Sequence, residues 1–199
     1  MENNDKANSQ ESNARQRILE TATDLFAEKG YTGTYVREIV EKAGVSKPVL
    51  YYYFQSKEGL FYAILEWAAD VQQKILNEIV EASGPVLDRF LYLYRRTYAG
   101  IQEYHSLYKM IHSLIYGPRQ GSPEYDYSKY QHRMFDAVKQ IYAEGLSAGE
   151  VKKADADEVA FLVLSLIDFC LNMDEVIPEL ADAQRPERLL TLAFQGLRT

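Results

Sequence analysis

The chain has 199 residues, a formal net charge of −7 and a sequence pI near 5.1, long enough for a sizeable core in one or two domains. No apolar run reaches the length of a membrane-spanning helix, and residues 1–13 lack a signal-peptide core, so the composition predicts a cytoplasmic chain with no membrane partner. The single cysteine, Cys170, excludes an intrachain disulfide and reads as a core thiol in a reducing compartment.

The acidity is uneven. Residues 14–60 hold seven Lys/Arg against six Asp/Glu, whereas residues 61–199 hold fourteen against twenty. The first segment is the one suited to a polyanion, with affinity resting on a few placed contacts rather than on bulk charge. Residues 1–13 are polar and are expected to form a flexible arm. A helix is expected over 14–29, where Ile18, Ala22, Leu25 and Phe26 recur at helical spacing and Gly30 stands at the C-cap. A second follows Thr34 as its cap, with Val36, Ile39, Val40 and Ala43 facing inward.

Ala43-Gly44-Val45 is a short glycine-containing turn of the kind that joins two crossed helices. Ser46 can cap the next helix, and Pro48 fits its first turn, where a missing N–H costs nothing. That helix carries Lys47, Tyr51, Tyr52 and Tyr53 with little to bury beyond Leu50 and Phe54. Its long polar groups point to double-stranded DNA as a partner.

Ser56 caps a fourth helix with an apolar stripe of Leu60, Ile64, Trp67, Val71, Ile75 and Ile79, ended by Ser83-Gly84-Pro85. Further helices are expected over 85–102, 103–116, 124–148 and 186–196, with a loop at 117–123. Asp155 and Glu158 resemble a capping box before an apolar run over 159–173. That run is apolar nearly all round, so one side is expected to face a second copy of the chain. No alternating pattern argues for a sheet, and the fold class read from the pattern is all-α.

Residues 18–60 resemble the TetR family of transcriptional regulators. The likeness is carried by Ala22, Leu25, Phe26, Gly30 and Tyr31; by Thr34, Val36, Glu38 and Ile39; by Ala43-Gly44-Val45-Ser46-Lys47; and by Leu50, Tyr51, Tyr53, Phe54, Ser56, Lys57, Glu58 and Leu60. The resemblance implies an all-α homodimer. Each subunit would carry a three-helix DNA-binding domain at 14–60 and a C-terminal helical domain at 61–199 with a small-molecule pocket and the dimer interface. It also implies a repressor that leaves a pseudo-palindromic operator when ligand binds. Two positions depart from the pattern: Tyr35 stands where a small hydroxyl is common, and Pro48 where glycine is common.

On this reading Lys47 reaches guanine O6/N7 or a phosphate, against the alternative of a solvated surface lysine. Val49 and Tyr52 point into the groove, and Tyr51 and Tyr53 place hydroxyls on phosphates or pack against the first two helices. Thr34 and Tyr35 form a phosphate site at a helix start, joined by Ser46 and Pro48, with Arg37 accessory and Lys57 clamping the backbone. The C-terminal part is rich in aromatic residues. Trp67, Tyr94, Tyr98, Tyr108, His112, Asp168 and Phe169 are the candidates for holding a small organic effector, aromatic or cationic, against the alternative that they pack a helical bundle. Asp168, inside the most apolar helix, is expected to be buried and to need a partner. His105 and His112 share a helix face but lack the spacing of helical metal motifs, and no catalytic residue, metal or cofactor is assigned. The competing functions are a DNA-binding architectural protein without effector, and an all-α enzyme, for which no nucleophile elbow or phosphate loop is present.

Overall fold

The computed structural model describes residues 2–117, 121–177, 179, 182 and 184–197. They form α1 (Glu2–Gly33), α2 (Val36–Ala43), α3 (Lys47–Phe54), α4 (Lys57–Glu81), α5 (Val86–Glu103), α6 (His105–Tyr116), α7 (Ser128–Ser147), α8 (Ala156–Val176) and α9 (Arg185–Leu197), with no strand among the described residues. The all-α class read from the pattern is the one observed. Met1, positions 118–120 of the expected loop and the side chain of Tyr130 lie outside the described residues.

The helix expected over 14–29 instead begins at Glu2, so the polar stretch expected as an arm continues α1. Extending an existing helix adds one hydrogen bond per residue fixed and needs no new nucleus. Asn13 joins it through an Arg17 Nη1–Asn13 Oδ1 bond of 3.1 Å one turn on. Asp155 caps α8 as its sequence position suggests, accepting the N–H groups of Asp157 and Glu158 at 2.9 and 3.3 Å. Helix α7 starts at Ser128, later than the pattern suggests.

The chain divides into two compact units, Met1–Val71 with Tyr104–Asp126, and Gln72–Glu103 with Tyr127–Thr199. This differs from the expected boundary after residue 60, because α6 packs along α1. In the first unit Ile18, Leu25 and Phe26 of α1 are buried, as are Ile39 of α2, Leu50 and Phe54 of α3, and Leu60, Phe61 and Ile64 of α4. Each such side chain contributes about 1.5–3 kcal/mol over an exposed one.

In the second unit Val86, Phe90, Leu93, Val138, Ile141, Val163 and Ile167 build one core. Tyr142 is buried there; its one hydroxyl proton is shared between the carbonyls of Lys152 and Ala154 at 2.9 and 3.2 Å, and its oxygen accepts the Ala154 N–H at 2.6 Å. Helix α8 buries Val159, Ala160, Val163 and Ile167 and turns Phe161, Leu162 and Phe169 to solvent. Asp168 lies on that outward face, not in the interior: at 100° per residue it falls beside Phe161 and Ser165, so it needs no buried partner.

Helices α5 and α7 meet where Gly145 is packed against Val86. A Cβ at Gly145 would lie 1.9 Å from Val86 Cγ2, and Val86 is both buried and stiff at χ1. Gly145→Ala is therefore expected to destabilise the protein by about 1–3 kcal/mol. Urea unfolding measures this, and an unchanged midpoint would mean that Val86 turns aside without cost.

Candidate nucleic-acid interface

The site begins with a break. Gly30 takes φ 71°, ψ 174°, a conformation open to glycine, and interrupts the hydrogen-bond ladder of α1. Carbonyl groups freed there need donors. Thr34 supplies one: it is fully buried, and its Oγ1 lies 3.1 Å from the Leu25 carbonyl and 2.9 Å from that of Gly30. Thr34 is therefore not the N-cap of α2, and its hydroxyl is turned inward onto backbone carbonyls.

Tyr35 takes the cap position in extended backbone (φ −109°, ψ 142°) without a side-chain capping bond, and its ring is 69% exposed. Its carbonyl accepts the N–H groups of Glu38 and Ile39. The first N–H groups of α2, which have no partner within a helix, thus emerge beside an exposed phenol. Arg37 is exposed and pairs with Glu41 at 2.7 Å, a hydrogen bond that raises its pKa. A solvated pair of this kind is weak enough to yield to a phosphate.

Gly44 ends α2 in the left-handed conformation (φ 65°, ψ 39°), with its N–H on Glu41 O and that of Val45 on Val40 O at 3.0 Å. Arg17 Nε donates to the carbonyl of Ala43 at 3.3 Å and holds this turn to α1. Ser46 is the extended N-cap of α3 with no side-chain capping bond, so its hydroxyl faces outward beside Lys47 and Pro48, all three exposed.

Helix α3 buries Leu50 and Phe54 and exposes Lys47, Pro48, Tyr51 and Tyr52; Val49 and Tyr53 are half-buried at its other edge. Tyr52 is 74% exposed and leans edge-on against Tyr53 at 5.0 Å between centroids. Gln55 closes the helix at φ 62°, ψ −37°, with its N–H on Tyr51 O at 2.9 Å. Ser56 Oγ accepts the Gly59 N–H at 2.8 Å and caps α4.

Lys57 is half-buried and turned toward Tyr31. Its Nζ donates to the carbonyl of Tyr31 and lies 4.2 Å from the centroid of the Tyr31 ring, which stacks on Phe26 and meets Phe61 edge-on. Desolvation at this place lowers the Lys57 pKa. One cation that the motif did not single out stands at the far end of α3: Arg15 of α1, exposed, with Cζ 5.5 Å from the centroid of the Phe54 ring. The only signal in the sequence is a basic residue ahead of Ile18, and its neighbour was not readable without the crossing of α1 and α3.

The effector candidates are divided between the two units. Trp67, Tyr108 and His112 belong to the first unit, where Trp67 meets Tyr104 edge-on at 6.0 Å and His112 lies between the rings of Tyr108 and Tyr116. Tyr94, Tyr98, Asp168 and Phe169 belong to the second. Tyr94 is buried in its core with Tyr98 6.1 Å away, while Phe169 is an outward residue on a cavity of about 130 Å³ shared with Cys170, Met173, Pro186 and Leu189. Among the described residues no group of His, Cys, Asp or Glu is arranged to hold a metal.

Comparison with known proteins agrees with this geometry. The family described as bacterial regulatory proteins, tetR family, matches residues 18–64. The HTH-type transcriptional repressor KstR2 of Mycobacterium tuberculosis is 30% identical over 146 residues, covering 71% of this chain and 72% of that protein. The HTH-type transcriptional regulator RutR of Escherichia coli is 40% identical over 72 residues, 36% of this chain, and the match spans about a third (34%) of RutR. In fold, the chain is similar to the Bacillus subtilis regulator FadR solved with stearoyl-CoA, at a TM-score of 0.70 and 20% identity over 92% of this chain and 99% of that one.

The inward placement of Thr34 is testable. Thr34→Val keeps the shape and deletes the donor, and is expected to lower stability by about 1 kcal/mol while leaving DNA affinity unchanged. Thermal unfolding and DNA binding are measured side by side. Weaker binding with an unchanged unfolding midpoint would return Thr34 to the interface.

Proposed function

The chain belongs to the TetR family of bacterial regulators, and on that premise we propose that it is a homodimeric, ligand-responsive repressor of transcription. The observation that carries this reading is the outward face of α3: an eight-residue helix behind a left-handed glycine turn, presenting Lys47, Tyr51 and Tyr52 to solvent while only Leu50 and Phe54 anchor it. Large apolar rings held in water are a cost unless a partner covers them. A duplex covers them well. Lys47 meets guanine O6/N7 or a phosphate, Tyr52 enters the major groove, and Val49 touches a thymine methyl. Tyr51, Tyr53, Tyr35 and Ser46 place hydroxyls on phosphates, and Arg37 joins them by leaving Glu41.

The second half of the reading is symmetry. Phe161, Leu162 and Phe169 on α8 and Leu192 on α9 form exposed apolar surface in the second unit. A second copy of the chain is its occupant, through the two C-terminal helices. Such a dimer reads a pseudo-palindrome when its two α3 helices stand about 34–36 Å apart. A small organic effector, aromatic or cationic, releases the operator by binding more tightly to a form in which that spacing is wrong; equal affinity for both forms would change nothing. Tyr94 and Tyr98, in the core of the second unit, are the leading candidates to meet it.

Two measurements test the proposal. Lys47→Ala is expected to abolish binding to the DNA flanking its own gene at physiological salt while the protein remains dimeric; wild-type-like affinity would remove α3 from the interface. The double variant Phe169→Glu, Leu192→Glu is expected to sediment as a folded monomer, and a persistent dimer would place the interface elsewhere.

A further inference from the structure

We propose that Arg15, on α1, is a phosphate contact of the DNA interface, and that it occupies the role which the motif suggests for Lys57. The inference rests on the reading of the protein as a DNA-binding regulator. It starts from the cations of the first unit. Four of them are engaged: Lys29 with Glu38, Arg37 with Glu41, Arg17 with the Ala43 carbonyl and Asn13, and Lys57 with the Tyr31 carbonyl and ring. Arg15 is exposed, and its described contact is the face of Phe54.

That contact fixes where its charge stands. Lys47, Tyr51 and Phe54 are at i, i+4 and i+7, so they follow one another along a single edge of α3. Lys47 and Tyr51 are exposed at the start and middle of that edge, and Phe54 is buried at its end. The guanidinium over Phe54 completes the row with a second cation. At 1.5 Å per residue the two ends of the row are about 10 Å apart, close to the width of a major groove, about 12 Å. The edge thus offers an ammonium, a phenol hydroxyl and a guanidinium in line. Planar donors on a guanidinium suit phosphate oxygens, and stacking on Phe54 fixes the side chain before DNA arrives.

A phosphate contact has a signature that packing lacks. Each one deepens the salt dependence of binding by about 0.9 in log K against log salt, on any sequence. Fluorescence anisotropy over a range of KCl concentrations is measured for wild type, Arg15→Met and Arg15→Lys. The two probes are a duplex from upstream of the chain's own reading frame and a random-sequence duplex. Arg15→Met keeps an apolar cover on Phe54 and is expected to flatten the slope by about 0.9 for each Arg15 engaged, on both duplexes. Arg15→Lys is expected to keep the wild-type slope. A wild-type slope in Arg15→Met overturns the proposal. So does a flattened slope in Arg15→Lys, which would assign the loss to packing. Should Arg15→Met lose stability, seen as a lower unfolding midpoint, Arg15→Gln, which also removes the charge, is measured in its place, and a wild-type slope there overturns the proposal. Wild-type protein that binds neither duplex would overturn the DNA-binding reading itself.

Discussion

The arrangement of the first unit depends on where the backbone carbonyls go when α1 is broken. A buried carbonyl without a donor costs roughly 1–3 kcal/mol, comparable with a sizeable part of a small protein's stability. Gly30 sets that break. The single Thr34 hydroxyl is shared between the carbonyls of Leu25 and Gly30, and Lys57 donates to that of Tyr31 from 26 residues away. Arg17 does the same for Ala43 at the end of α2. Each bond ties one helix end to another element, so the angle at which α3 is presented follows from hydrogen-bond satisfaction as much as from the apolar core.

The second unit uses the same device with different residues. Arg89 is buried; one terminal nitrogen donates to the carbonyl of Val80 near the end of α4 at 3.2 Å, and the other pairs with Glu144. Hydrogen bonds from Gln140 and Arg89 hold the Glu144 carboxyl below its usual range, so it stays ionised opposite the guanidinium. Tyr142 closes the connection between α7 and α8 through a single hydroxyl. In both units polar side chains that look like ligands for something else serve the chain's own backbone.

That is also where sequence reading succeeds and where it stops. Local signals were legible. Gly44 takes the left-handed conformation its turn requires, Ser56 and Asp155 cap their helices, and Leu50 and Phe54 face inward. Each of these depends on a few neighbouring residues. The directions of Thr34 and Lys57 depend on carbonyls up to 26 residues away, which no local pattern encodes. Asp168 was misread because an apolar run reports how much of a helix is greasy, not which side the fold covers. Likewise periodicity identifies α6 as amphipathic without saying that its partner is α1. Aromatic abundance marked out Tyr94 and His112 together, but the chain places them in different units.

Gln55 carries a consequence for sequence tolerance. It is the one non-glycine residue with positive φ among those described, a conformation that costs about 1 kcal/mol or more for an ordinary side chain. Helix α3 is therefore stopped by geometry and not by weak propensity, after two turns. Glycine or asparagine at 55 keeps the stop. A β-branched residue disfavours it and lets the helix run on toward Ser56, displacing the cap of α4. Homologous sequences that share this junction should vary freely along the outward face of α3 while drawing position 55 from a narrow set, so that changes of specificity accumulate without changes of length.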